Sequence, residues 1–420
     1  MYPEGPSRPS ARLAMILPMR VLASLRRLPR YPLEVFLGTR LLIWGTTILA
    51  YLVFEAQYAQ PLHTGGAEDV VSHDAGWAID LWGRWDSGWF LGIAQHGYAD
   101  PGHSSAFFPL YPVLVRGVGW FLLGHHLVAG VLVSLAASAV AFVLLWKLSL
   151  QLAGEQTANR GVFYLSIFPT TLFLFAVYSE SLYLLLTVAA FLLAVRGRWG
   201  WAGVVVGLAA LTRVSGVILL PALAILAWRS ADRKGALLRL AISLPVMALW
   251  PLYLGLVHGR PFVFLSAQRA GWDRRLSYAG PLGGAWDGLV DGWRGVRQLV
   301  AGSGHDYFPS IDHSAMYGAG LNLEQLAYAV FLIGAGVYTW RKLGAAYGIF
   351  VLGSLALPLS DPVPSSPLLS MPRFALGVFP VFVALGILGS RPRVNTVLVT
   401  TFAVLLGINL ARWVLWIWVA

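Results

Sequence analysis

The chain has 420 residues, 57% of them hydrophobic and 12% charged, with no cysteine and a formal net charge of +11. A soluble domain of this size needs far more surface charge, so composition places the chain in the lipid-solvated class. The missing thiols exclude disulfides, thiolate metal sites and cysteine nucleophiles. The basic residues fall in small clusters between apolar runs, the pattern of charge flanking membrane spans and not of a nucleic-acid-binding face.

Residues 1–32 read as a basic cytoplasmic segment, with Arg8, Arg12, Arg20, Arg26, Arg27 and Arg30 around a broken apolar run from Leu13 to Leu25 that suits the membrane surface. Residues 33–420 read as one all-α polytopic membrane domain. About 20 apolar residues are needed to cross a bilayer. Spans are predicted near 33–54, 125–148, 161–177, 182–196, 199–212, 214–229, 240–257, 322–340, 343–359, 373–390 and 394–416, about 11 in all. Two stretches stand apart as outer loops, 55–124 and 258–321. Within the first, residues 106–123 are apolar, but Pro109, Pro112 and Arg116 interrupt them. Counting them as a span would reverse every later loop, so they are predicted as an interfacial or re-entrant helix on the outer face.

Charge sets the orientation. With the N-terminus in the cytoplasm, the inner turns hold Arg160, Arg196, Arg198, Arg229, Arg233, Lys234, Arg239, Arg341, Lys342, Arg391 and Arg393. The stretch 55–105 then lies outside and carries Glu55, Glu68, Asp69, Asp74, Asp80, Asp86 and Asp100 against Arg84, as the positive-inside rule requires. Arginine outnumbers lysine, which suggests a high-G+C bacterial genome, and the membrane is then expected to be the inner (plasma) membrane.

In this topology the unusual polar residues gather on the outer side: Arg84, Trp85 and Asp86 in the first loop, Tyr178, Ser179, Glu180 and Ser181 between two apolar runs, Arg213 at a turn, Gln268, Trp272, Arg274 and Arg275 in the long loop, and Arg373 at the start of a late helix. Ionisable groups at membrane depth are costly and tend to mark sites. Asp86 reads either as a solvated loop aspartate or, fixed between Trp85 and Trp89, as a base for a hydroxyl. Glu180 is a second candidate base or a helix N-terminal carboxylate. Arg213 reads as a snorkelling arginine or as half of an anion pocket, and Arg373 reads the same way. Trp85, Trp89 and Trp272 stand out among the aromatics as stacking surfaces for sugar rings. The nine histidines show no metal-ligand spacing.

These segments resemble a known family. RWDSGWFLGIAQHGY (84–98) followed by AFFPLYP (106–112) is similar to the first luminal loop of the PIG-V mannosyltransferases, polytopic enzymes of the GT-C glycosyltransferase fold. FPTTLFLFAVYSESLY (168–183), ALTRVSGV (210–217), FLSAQRAGWDR (264–274) and SMPRFALGVFP (370–380) follow in the same order. The resemblance implies an inverting transfer of mannose from polyprenyl-phosphate mannose to a hydroxyl of a lipid-linked or protein-linked glycan. It implies Asp86 as catalytic base with Glu180 beside it, and Arg213 and Arg373 at the donor phosphate. Arg84, Trp85, Trp89, Tyr178, Ser179, Gln268 and Trp272 are then candidates to contact sugar and acceptor. Asp86 and Glu180 could share a divalent cation, though their spacing gives that no support. The alternative readings are the same reaction with another polyprenyl-phosphate sugar, and a polytopic lipid or glycan transporter or flippase.

Overall fold

The computed structural model describes residues 29–54, 76–308 and 314–420. The basic segment before Pro29, and Glu55, Glu68, Asp69 and Asp74 of the first outer loop, lie outside the described residues. Within them the chain is helical, with one isolated bridge between Val363 and Ser366.

Among the described residues, five helices are long and apolar enough to cross a bilayer: Arg30–Val53, His126–Ala153, Arg233–His258 (in two pieces), Ala315–Leu343 and Pro392–Val414. This is a multi-pass membrane protein. His126–Ala153 is the central one, because 56% of its most apolar window is buried in protein, against 22% for Arg30–Val53, Arg233–His258 and Pro392–Val414. A helix apolar all round belongs inside a bundle, and those three leave most of their surface to lipid. Around His126–Ala153 pack Glu155–Ser166, Glu180–Val195 and the Leu110–Phe121 helix of the first outer loop.

Five such helices stand against about 11 expected spans, and the difference has local causes. The predicted span 161–177 starts earlier, as the Glu155–Ser166 helix, and then stops. Pro169 follows, and residues 167–179 form a buried irregular stretch with one 3-10 turn, Thr171–Leu174. Arg40, buried in the first span, holds it open by donating to Ser166 O (3.2 Å), Thr171 O (3.0 Å) and Thr171 Oγ1 (2.9 Å). Carbonyls freed at a broken helix need such partners in a dry interior. The span predicted at 373–390 is likewise a pair of helical pieces, Met371–Gly377 and Pro380–Leu388, bent by 90°. It counts as a sixth span only if the pair is taken as one. Four further apolar helices, among them Glu180–Val195 and Trp199–Ala210, have 10–17 residues. The twelve residues of Trp199–Ala210 rise about 18 Å, short of the hydrocarbon thickness.

Residues 110–121 form a 12-residue helix, too short to span. It buries Tyr111, Pro112, Val115 and Gly119 and exposes Val113, Trp120 and Phe121. The long loop 258–321 is far from structureless. It holds Val263–Trp272 and a 21-residue helix, Pro281–Ala301, which packs on Ala315–Leu343.

Candidate functional site

The broken segments meet at one place. Asp86 precedes the Ser87–His96 helix in the N-cap position but makes no side-chain capping bond. Its carboxylate turns to Arg373, whose Nη1 donates to Asp86 Oδ2 at 2.5 Å. Glu180 is the first residue of Glu180–Val195, and its Oε1 accepts from Arg213 Nη1 at 2.5 Å and lies 3.3 Å from Arg373 Nε. Arg373 thus stands between the two carboxylates. Arg213 Nη1 also reaches Ser179 Oγ at 3.5 Å. The four charged side chains are 2–20% exposed, where ion pairs are far less screened than at an open surface. Glu180 Oε2 is buried with no hydrogen bond.

Aromatic rings frame the arginines. The Arg373 guanidinium lies 5.5 Å from the Tyr178 ring centroid and 5.9 Å from that of Phe173. Arg213 lies 5.6 Å from that of Phe374, and such contacts favour the cation in a poorly hydrated setting.

Backbone bonds explain why these distant segments hold register. Val177 N–H donates to Trp82 O at 3.1 Å, and Leu110 N–H to Leu211 O at 2.9 Å. The Tyr178 hydroxyl accepts from Asp86 N–H at 3.2 Å and donates to Arg84 O at 3.1 Å. At the turn that carries Arg213, a Cβ on Gly216 would lie 2.4 Å from Ala209 C and Ala210 N, so only glycine allows the close approach. Gly216→Val is expected to push the turn away and separate Arg213 from Glu180. Donor half-saturation should rise while thermal stability drops, which titration of donor against initial rate and a melting curve would register.

Arg84 and Trp85 do something else. Arg84 is 1% exposed, and its Nη1 donates to the carbonyls of Trp413 (2.8 Å) and Val414 (3.1 Å). Its guanidinium lies 4.1 Å from the Trp416 ring centroid. This leaves no face for a sugar. Trp85 has φ 48°, costly for a bulky residue. Its ring meets Trp413, Trp416 and Trp418 edge-on at 4.8, 5.6 and 5.9 Å. The two residues lock the loop before Asp86 onto the C-terminal tail. Arg84→Ala would orphan two buried carbonyls, and a loss of about 2–4 kcal/mol is expected, measurable by thermal unfolding in detergent.

Trp89 and Trp272 come together from different loops. Trp89 stacks on Phe107 at 5.7 Å, and Trp272 lies 6.4 Å from Trp89 and 5.5 Å from Phe107. Gln268 is half-buried one turn earlier on the Val263–Trp272 helix. Arg274 enters the same neighbourhood without having been assigned a role from sequence. It donates to the backbone carbonyls of Asp361 (2.9 Å) and Leu369 (3.5 Å). Burial lowers its pKa first. Asp361 and Asp86 act to raise it, and the charges of Arg373 and Arg213 to lower it. Its position at the end of the GWDR string was the available signal. Three guanidinium groups, those of Arg213, Arg274 and Arg373, thus gather around Asp86 and Glu180, and such groups suit an anion with planar, paired oxygens.

For a divalent cation the fit is poor. Asp86 and Glu180 are both held by guanidinium groups, and no set of three or more His, Asp or Glu converges among the described residues. A hard cation normally collects six or more oxygens.

Part of the chain is similar to known proteins. Residues 39–230 match the sequence model of the family described as mannosyltransferase (PIG-V). GPI alpha-1,6-mannosyltransferase 2 of Mus musculus is 38% identical over 148 residues, covering 33% of this chain and 30% of that protein. Its Rattus norvegicus counterpart is 36% identical over 146 residues, covering 32% and 29%. The chain thus spans less than a third of the curated relatives it matches. Among solved structures, the Archaeoglobus fulgidus oligosaccharyltransferase tethered with an acceptor peptide has a TM-score of 0.45 and 15% identity over 91% of this chain and 55% of that one. The same organism's AglB with an inhibitory peptide and a dolichol-phosphate has a TM-score of 0.42 and 14% identity over 91% and 54%. Residues 39–230, which hold Asp86, Glu180 and Arg213, are thus similar in sequence to the PIG-V mannosyltransferases.

Proposed function

We propose that this protein is an inverting mannosyltransferase of GT-C type that takes mannose from a polyprenyl-phosphate donor and transfers it to a glycan hydroxyl on the outer face of the inner membrane. The observation that carries the reading is the Asp86–Arg373–Glu180–Arg213 cluster, three of its four residues inside the family match.

The chemistry needs one displacement. The acceptor oxygen attacks the anomeric carbon, the bond from that carbon to the phosphate oxygen breaks, and the acceptor proton passes to an Asp86 oxygen. The leaving polyprenyl phosphate gains negative charge, which Arg213, Arg373 and Arg274 stabilise without donating a proton. Before the donor binds, Arg373 holds Asp86. A phosphate that recruits the Arg373 guanidinium loosens this pair and leaves the carboxylate free to accept the proton. Glu180 fixes both arginines and keeps one buried oxygen open to a substrate hydroxyl. Trp89 and Trp272 offer ring faces to the sugar, while Tyr178 and Ser179 position the loop and Arg213. No step uses a metal ion.

The test is direct. Purified protein is given labelled polyprenyl-phosphate mannose with membrane glycolipids. The label should move to a larger glycolipid, and a donor that stays intact under all acceptor mixtures would refute the reading. Topology has its own check, because the chain has no cysteine. Asp100→Cys should react with an impermeant maleimide from outside intact cells and Arg198→Cys only after lysis. The reverse pattern would place the site in the cytoplasm.

A further inference from the structure

The Pro281–Ala301 helix has two differentiated faces. Gly284, Gly288, Gly292 and Gly295 form a seam against the bundle, where a Cβ on Gly284 would lie 2.1 Å from Leu359 O and one on Gly292 2.3 Å from Leu326 Cδ2. Next to this seam the helix carries Asp287, Asp291 and Arg294. Together with residues 275–279 and the proline-rich loop 362–367, they line a half-open cavity of about 580 Å³. We propose that this cavity binds the acceptor, a polyhydroxylated glycan whose free hydroxyl is presented to Asp86. The proposal rests on the transferase reading and adds to it the place where the acceptor sits.

Its size falls within the range of small-molecule sites, roughly 300–1,000 Å³. Its chemistry suits hydroxyl groups, which both donate and accept. Asp287 and Asp291 supply acceptors, Arg275 and Arg294 supply donors, and Tyr278 gives an exposed ring. Asp291 is 4% exposed. Its Oδ1 accepts from Arg294 Nη1 at 2.6 Å, which leaves Oδ2 for a ligand. Burial holds the Asp291 carboxyl above its usual range, against the Arg294 guanidinium, which acts to lower it.

The segments that line the cavity are continuous in sequence with residues of the catalytic cluster. Arg275 N–H donates to Pro362 O at 3.1 Å, and the adjacent Arg274 holds Asp361 O and Leu369 O while it senses the charges of Asp86, Arg213 and Arg373. The loop 362–367 continues within six residues into Arg373. Three prolines, Pro362, Pro364 and Pro367, restrict that wall.

The test uses the full chain in nanodiscs with labelled polyprenyl-phosphate mannose and a membrane glycolipid extract. Tyr278→Ala, at a fully exposed position, and the isosteric Asp291→Asn should each raise acceptor half-saturation about tenfold or more. Donor half-saturation and the slow cleavage of donor by water should stay unchanged. Unchanged acceptor half-saturation in both variants would overturn the proposal. Should wild-type protein not cleave the donor, the transferase reading fails by itself, and binding of mannotriose, followed by saturation-transfer NMR, still decides on the cavity. The signal should be present in wild type and in Asp86→Asn and weakened in both cavity variants. A signal absent from wild type, or equal in all four proteins, would contradict it.

Discussion

Asp86→Asn is expected to lower the rate of mannosyl transfer by about 100- to 10,000-fold, the range for loss of a positioned general base. Asparagine keeps the size and loses both the basic oxygen and the charge that Arg373 holds at 2.5 Å. Because that guanidinium is then freed, donor binding should be unchanged or tighter. A merely structural role for the aspartate would weaken binding and transfer together. The check is a pair of titrations, single-turnover rate and equilibrium binding of labelled donor, on the same preparation. An asparagine variant with a rate near wild type would move the base elsewhere, and Glu180 is then the group to examine.

Arg373→Gln should produce the other large effect. Arg373 is the one residue that touches both carboxylates of the cluster among the described residues. Without it Asp86 loses its ion-pair partner and Glu180 keeps Arg213. Breaking a largely buried pair from one side costs about 3 kcal/mol or more. Losing a guanidinium from the developing phosphate charge costs about 100- to 1,000-fold in rate. Arg373→Lys should recover stability better than rate, because an ammonium group cannot reach two carboxylates and a phosphate with a planar fork. The double variant Arg373→Gln, Glu180→Gln should regain part of the lost stability and none of the activity. Thermal unfolding of the four combinations gives the coupling between the two side chains; strict additivity would deny that Arg373 serves both acids.

Much of the site was legible because its chemistry is written in local strings. Asp86 lies between two tryptophans, Glu180 sits in a short polar break in an apolar run, and Arg213 and Arg373 occur where charge is expensive. What local strings do not carry is the partner. Arg84 and Trp85 read as sugar contacts beside Asp86, yet Arg84 bonds carbonyls 329 and 330 residues away. Their role in holding the loop follows from the fold of the C-terminal tail, which no spacing rule reaches. The apolar stretch after Ser166 reads as a continuing span. It is broken because Pro169 stops the ladder and Arg40, from another helix, satisfies the carbonyls left over. The Pro281–Ala301 helix was hidden for the opposite reason. Five glycines, two aspartates and two arginines depress its hydropathy, although four of those glycines are what let it pack against its neighbours.

The central claim is that a lipid-linked phosphate sits on the guanidinium groups around Asp86. An experimental structure of the protein with bound polyprenyl phosphate measures it most directly. The phosphate oxygens should lie within hydrogen-bond distance of Arg213 and Arg373, with the Asp86 carboxylate released toward the space between Trp89 and Trp272. A phosphate bound elsewhere on the protein, with the Asp86–Arg373 pair still closed, would contradict the account.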